Sequence, residues 1–185
     1  MKLLLSAVLY TALALGANAG SADLAALEAL RAGDMKKLIF HAEPQPVTDQ
    51  TFTDPKGAEY RLSDWNGKYV LLNFWATWCA PCRKEMPALD ALQQEFGGER
   101  FEVVTLATGR NALPGIRRFF EEENITVLPI LLDPKQAVAR EMAVLGLPIT
   151  VILDPEGREI ARLRGDADWI SDSARSIIAA LTVAE

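Results

Sequence analysis

The stretch NFWATWCAPCRKEMPAL, residues 73–89, holds both cysteines of the 185-residue chain, Cys79 and Cys82. Just upstream, KYVLLNFWA (residues 68–76) is a continuous apolar run, as expected of a strand covered on both faces. Downstream, Met86, Leu89, Leu92 and Phe96 recur at helical spacing, and Gly97-Gly98 stops that helix. The two thiols therefore fall where a buried strand turns into a helix. A helix start favours a thiolate, because unpaired amides and the helix dipole both stabilise negative charge there. Cys79, at the helix start, is the expected nucleophile. Cys82, one turn inside, is placed to attack a mixed disulfide on Cys79 and release the partner. Pro81 suits a first turn, where its missing N–H is no loss.

Other uses of two cysteines are weaker. A staple closing so short a loop constrains the unfolded chain little. Zinc needs four ligands, and the chain has no third cysteine and one histidine, His41, which is read as a surface residue. Two thiolates can also hold Cu(I), so a copper-handling protein stands as the alternative reading.

Outward from this junction the chain alternates strand-like and helix-like segments. TFTDPKGAEYRL (residues 51–62) reads as a hairpin turning at Pro55-Lys56-Gly57, and FEVVTLA (101–107) as a second buried strand. Ile116, Phe119 and Phe120 give a helical face, TVLPILL (126–132) a short strand, and KQAVAREMAVLG (135–146) a helix. ITVILDPEGREIARL (149–163) reads as a hairpin turning at residues 154–157. Residues 169–181 close the chain as a helix with Ile170, Ala174, Ile177 and Leu181 on one side. This order implies an α/β domain, a mixed central sheet with helices on both faces. Right-handed crossovers put the cysteine-bearing helix start at the carboxyl edge of a central strand.

The first residues, MKLLLSAVLYTALALGANAG, combine one lysine, an apolar run and an Ala17-Asn18-Ala19 site. Residues 1–19 are expected to be a signal peptide, or an uncleaved anchor tethering the protein to the membrane. Either places the folded part outside the cytoplasm, where disulfides persist. Residues 20–45 are read as a helical segment, with Leu24, Leu27 and Leu30 on one face, and an extended linker carrying Pro44; the main domain occupies 46–185. A net charge of −6 and pI near 4.9 argue against nucleic acid and anionic membrane surfaces as partners. No glycine-rich phosphate loop or nucleotide fingerprint is present, so no organic cofactor is expected.

Glu85 lies one helical turn beyond Cys82, where a carboxylate could exchange the proton of the second thiol; the other reading is a solvated surface glutamate. Pro148, in LGLPITVILDPEGREI (residues 144–159), immediately precedes a strand-like run.

The chain resembles the TlpA/ResA-like thiol–disulfide oxidoreductases of the thioredoxin superfamily, from about Phe52 to the last helix. The stretches that carry the resemblance are residues 73–89, LSDWNGKYVLL (62–72) and residues 144–159. It implies a thioredoxin-like three-layer fold with an N-terminal hairpin extension, a redox pair at Cys79 and Cys82, a cis-proline at Pro148 and an active-site glutamate at Glu85. Pro87 matches a helix-kinking proline. Trp78, Pro81 and Leu147 are expected to contact substrate, with Trp75 packed beneath. Asn73 stands where cytosolic thioredoxins carry a buried aspartate, and it cannot titrate. The implied function is reduction of disulfides in client proteins of the periplasm, of the cytochrome c maturation or copper-centre assembly kind. The implied electron donor is a membrane thiol reductase of the DsbD or CcdA kind.

Overall fold

A computed structural model describes residues 24–183; the expected signal or anchor at 1–19 lies outside them. The chain runs through α1 (Leu24–Ala29), a 3₁₀ turn (Gly33–Lys37), β1 (Leu38–Gln45), β2 (Phe52–Thr53), β3 (Glu59–Tyr60) and a second 3₁₀ turn (Leu62–Trp65). Then come β4 (Tyr69–Trp75), α2 (Ala80–Phe96), β5 (Phe101–Thr108), α3 (Leu113–Glu122) and β6 (Leu131–Asp133). The last elements are α4 (Ala137–Glu141), β7 (Ile149–Leu153), β8 (Glu159–Arg164) and α5 (Asp172–Val183).

The strands form one sheet in the order β1-β8-β7-β4-β5-β6-β2-β3. β4 pairs in parallel with β5, and β5 with β6, while β7 and β8 run antiparallel. All seven residues of β4 are buried, which is why its sequence shows no alternation. The alternation is present in space. Leu71 and Trp75 face the core under α2, α3 and α5, whereas Val70, Leu72 and Phe74 face the core under α4 and the β2–β3 turn. Asn73 follows the odd-numbered set and so points at α2. This two-sided burial produces the thioredoxin-like arrangement the resemblance implied.

Three local expectations are corrected. Residues 38–45, read as helix end and linker, are a strand: Leu38 and Phe40 are buried against β8, opposite Leu163 and Ala161, with Ile39 and His41 outward. Pro44 is tolerated because the ladder is interrupted between Phe40 and Gln45 on an edge strand. The helix expected to run to Gly146 stops at Glu141, and Ala143 takes a left-handed φ of 52° in the turn that follows. The last helix begins at Asp172, not Trp169. Ser171 caps it by accepting the amide of Ala174 at 3.3 Å, which leaves Trp169 free to turn inward and Ile170 outward.

Candidate active site

Cys79 is the N-cap of α2, with extended backbone (φ −91°, ψ 103°), and its Sγ accepts the Cys82 amide at 3.3 Å. A sulfur in this position receives an amide of the helix's first turn, the interaction that favours its anion once the disulfide opens. Here the two cysteines are joined, with S–S 2.04 Å and Cα–Cα 5.3 Å. Cys79 is 6% exposed and Cys82 fully buried, so Cys79 is the sulfur that a partner can reach. Pro81 lies in the first turn. Pro87, further along α2, leaves the Arg83 carbonyl without its helical donor.

The loop before the helix is pinned from outside. Asn111, in the β5–α3 connection, accepts both the Thr77 amide (2.8 Å) and the Thr77 hydroxyl (3.0 Å) on Oδ1, while its Nδ2 donates to the Thr108 carbonyl at 3.0 Å. Trp75 is buried against Phe119 and Phe120, and Arg83 lies 4.9 Å above the Phe119 ring. Trp78 projects next to the disulfide and is 65% exposed.

Behind Cys82 lies Glu85. It is not a solvated surface residue: it is 3% exposed, and three groups donate to its carboxylate. Asn73 Nδ2 reaches Oε1 at 2.8 Å; the Ala167 amide and Trp169 Nε1 each reach Oε2 at 3.2 Å. Burial pushes the Glu85 carboxyl up to about 7, although all three hydrogen bonds pull the other way. Asn73 also donates to the Thr150 hydroxyl at 2.9 Å, which ties β7 to the same spot. On its outer side Glu85 borders a cavity of about 280 Å³ shared with Lys84, Asp34, Asp166 and Asp168. A carboxyl so placed can hold or release one proton near neutrality, one helical turn from Cys82.

Leu147-Pro148 is a cis peptide at the start of β7. The Pro148 carbonyl accepts the Gly165 amide at 3.0 Å, and Phe74 pairs with Ile149, so this bond lies beside the end of β4 from which the cysteine loop departs. Leu147 is half-buried and borders a surface cavity with Leu145, Gly146, Pro148 and Arg164.

The structure thus brings Cys79, Cys82, Glu85, Pro81, Trp78, Leu147 and Pro148 around one end of β4. Two contributors escaped sequence reasoning. Asn111 sits in a loop with no motif, and nothing in the sequence marks Trp169 as the residue whose indole N–H serves Glu85. His41 is on β1, far from the disulfide, 2.8 Å from the buried Glu159. Among the described residues no cluster of three or more metal-ligating side chains occurs.

A disulfide at the N-terminus of a helix, mounted on a thioredoxin-like sheet beside a cis-proline, defines a thiol–disulfide oxidoreductase. The chain belongs to the AhpC/TSA family, whose model it matches over residues 44–160. It is 38% identical over 123 residues to the Thioredoxin-like protein YneN of Bacillus subtilis, covering 66% of this chain and 71% of that one. It is also 38% identical over 109 residues to the Thiol-disulfide oxidoreductase ResA of Geobacillus kaustophilus, covering 59% of this chain and 62% of that relative. Among solved structures, the thioredoxin domain of a thiol-disulfide oxidoreductase from Bacteroides vulgatus superposes with a TM-score of 0.63 at 26% identity, over 77% of this chain and 99% of that one.

Proposed function

We propose that this protein reduces disulfides in selected client proteins of the periplasm, with Cys79 and Cys82 as its dithiol. The Cys79 thiolate attacks a client disulfide and forms a mixed disulfide, releasing one client thiol. Cys82 then attacks Cys79 Sγ, which frees the second client thiol and closes the Cys79–Cys82 bond. Two electrons pass to the client, and its two departing thiolates take their protons from solvent. Glu85, one turn from Cys82, accepts the proton that Cys82 gives up and returns it when the disulfide is reduced again. Trp78, Pro81, Leu147 and Pro148 form the surface against which the client lies. The electrons are carried by the dithiol itself.

The observation that carries this reading is the asymmetry of the pair. One sulfur is reachable and amide-capped, and the other is buried with a proton-holding carboxyl a turn behind it. In an oxidising compartment the dithiol must be recharged, and a membrane thiol reductase of the DsbD or CcdA kind would supply the electrons. Clients of the cytochrome c maturation or copper-centre assembly kind follow from the kinship with ResA-like proteins.

Equilibration against glutathione, followed by reduction of insulin, tests the direction of electron flow. A strongly negative potential with insulin reduction is expected; a midpoint near −120 mV, the oxidising extreme for this fold, would overturn it. A Cys82→Ser variant should accumulate mixed disulfides with its clients in cells.

A further inference from the structure

On the sheet face that carries Ile39, Arg162 and Arg164, the end of α4 comes close enough for Arg162 Nη1 to donate to the Met142 carbonyl at 2.8 Å, and beyond it Ile39 and Arg164 stand exposed. Ile39 on β1 stands opposite Arg162 on β8, and Arg164 stands opposite Ile149, the residue that follows the cis-proline. Directly opposed residues share a face, so Ile39, Arg162 and Arg164 make a row that begins one residue from Pro148. Two cavities meet along it. One, of about 320 Å³, lies against Leu145, Leu147, Pro148 and Arg164; the other, of about 340 Å³, is lined by Lys37, Ile39, His41, Arg162 and Arg164. Arg164 lines both, so they adjoin at its side chain as two halves of a groove that leads away from the cis-proline.

The chemistry of this groove differs from the rest of the protein. The whole chain carries −6, yet the second cavity is lined by three cationic side chains and a histidine. Its one underlying carboxylate, Glu159, is buried and occupied by Arg162 (2.7 and 2.6 Å) and by His41. Lys37 is paired with Asp34 at 3.0 Å, whereas Arg164 is exposed and has no ion pair among the described residues. Glu43 lies on β1 beyond the cavity lining. Large apolar side chains are exposed at both ends: Leu145 is 97% exposed and Ile39 57%. From β7 to β1 is a distance of about 10 Å, given the spacing of paired strands. Three or four residues of extended chain span that length.

We propose that this groove is the docking surface for an extended acidic segment of the client, flanking the disulfide that Cys79 attacks. The segment enters beside Pro148, sets a carboxylate on Arg164 and apolar side chains on Leu145 and Ile39, and runs out over β1. Because the protein is acidic overall, the attraction is local, and it acts against the net charge. This assignment rests on the disulfide-reducing direction proposed above.

The test uses the reduced protein and two cysteine peptides, each held as a mixed disulfide with thionitrobenzoate. In one the cysteine is flanked by glutamates and leucine, in the other by lysines and leucine. Attack by Cys79 releases thionitrobenzoate or the peptide thiol, Cys82 completes the reduction, and the rates follow from absorbance. Each rate is divided by that for hydroxyethyl disulfide, which is uncharged and too small to reach β1; loss of reaction with this reagent itself would instead indict the reductase reading. The expected result is that the glutamate peptide reacts about 3- to 10-fold faster at low salt, as for steering by a local patch, and that the preference collapses in 0.5 M salt. It should shrink in Arg164→Gln and reverse in Arg164→Glu. Equal rates, a lysine preference, or a glutamate preference unchanged in both Arg164 variants would overturn the proposal. So would an acidic preference confined to the reverse half-reaction, in which a dithiol peptide reduces the oxidised protein.

Discussion

Asn73 Nδ2 lies 2.8 Å from Glu85 Oε1, and both side chains are buried. The middle of the central strand therefore holds a neutral donor against a carboxyl on the catalytic helix. Replacing Asn73 with Asp sets two carboxyl groups in contact, and such a pair shares one proton. The Asn73→Asp protein should be less stable than the parent by about 3 kcal/mol at pH 8, the scale of an uncompensated buried charge. It should recover much of that loss at pH 5. Urea denaturation at the two pH values measures both.

Glu85 itself gives the parent protein a pH dependence whose sign is opposite to that of an ordinary ion-paired carboxylate. Its folded value is about 7 against 4.5 when unperturbed. Between those values the folded state keeps a proton that the unfolded chain has released, so stability falls as pH rises through this window. The whole effect amounts to about 3 kcal/mol. Glu85→Gln should be flat over the same range, and above pH 7 more stable than the parent. Thermal melts from pH 4 to 8 read the difference; parallel curves would contradict the assignment.

Asn111→Ala removes the acceptor that fixes both polar groups of Thr77. A loss of about 1–2 kcal/mol is expected from the unsatisfied groups. The loop carrying Trp78 should loosen as well, and amide hydrogen exchange at residues 76–78 should rise while exchange in β5 stays unchanged.

Trp78→Ala should leave the melting temperature nearly unchanged, because an exposed side chain contributes within about 0.5 kcal/mol. Reduction of insulin should fall several-fold, while reduction of hydroxyethyl disulfide should not. A proportional loss on both substrates would mean that the indole supports the disulfide loop and does not touch the client.

The centre of the fold was legible in the sequence because its signals are strong and local. An unbroken apolar run, a helix with clear stops and a cysteine pair between them place β4, α2 and the disulfide. What escaped depends on partners distant in the chain. β1 shows only two inward residues, Leu38 and Phe40, before Pro44 breaks the pattern, and its reason for being a strand lies in β8. Glu85 looked as exposed as any charged residue early in a helix. Its burial is created by Ala167 and Trp169, contributed by the loop before α5, and by Asn73 on the strand beneath. Local periodicity carries no trace of such contacts.

The pairing of β1 with β8 also orders events during synthesis. Leu38 to Phe40 leave the ribosome long before Leu163, Arg162 and Ala161 exist to receive them. Until then the first strand has two greasy residues and a bare row of amides and carbonyls with no native neighbour, which is what a chaperone or a second nascent chain can seize. The last hairpin to emerge is therefore the one that locks the start of the domain, and a polypeptide truncated before β8 would keep its opening strand adhesive even with the cysteine helix already in place.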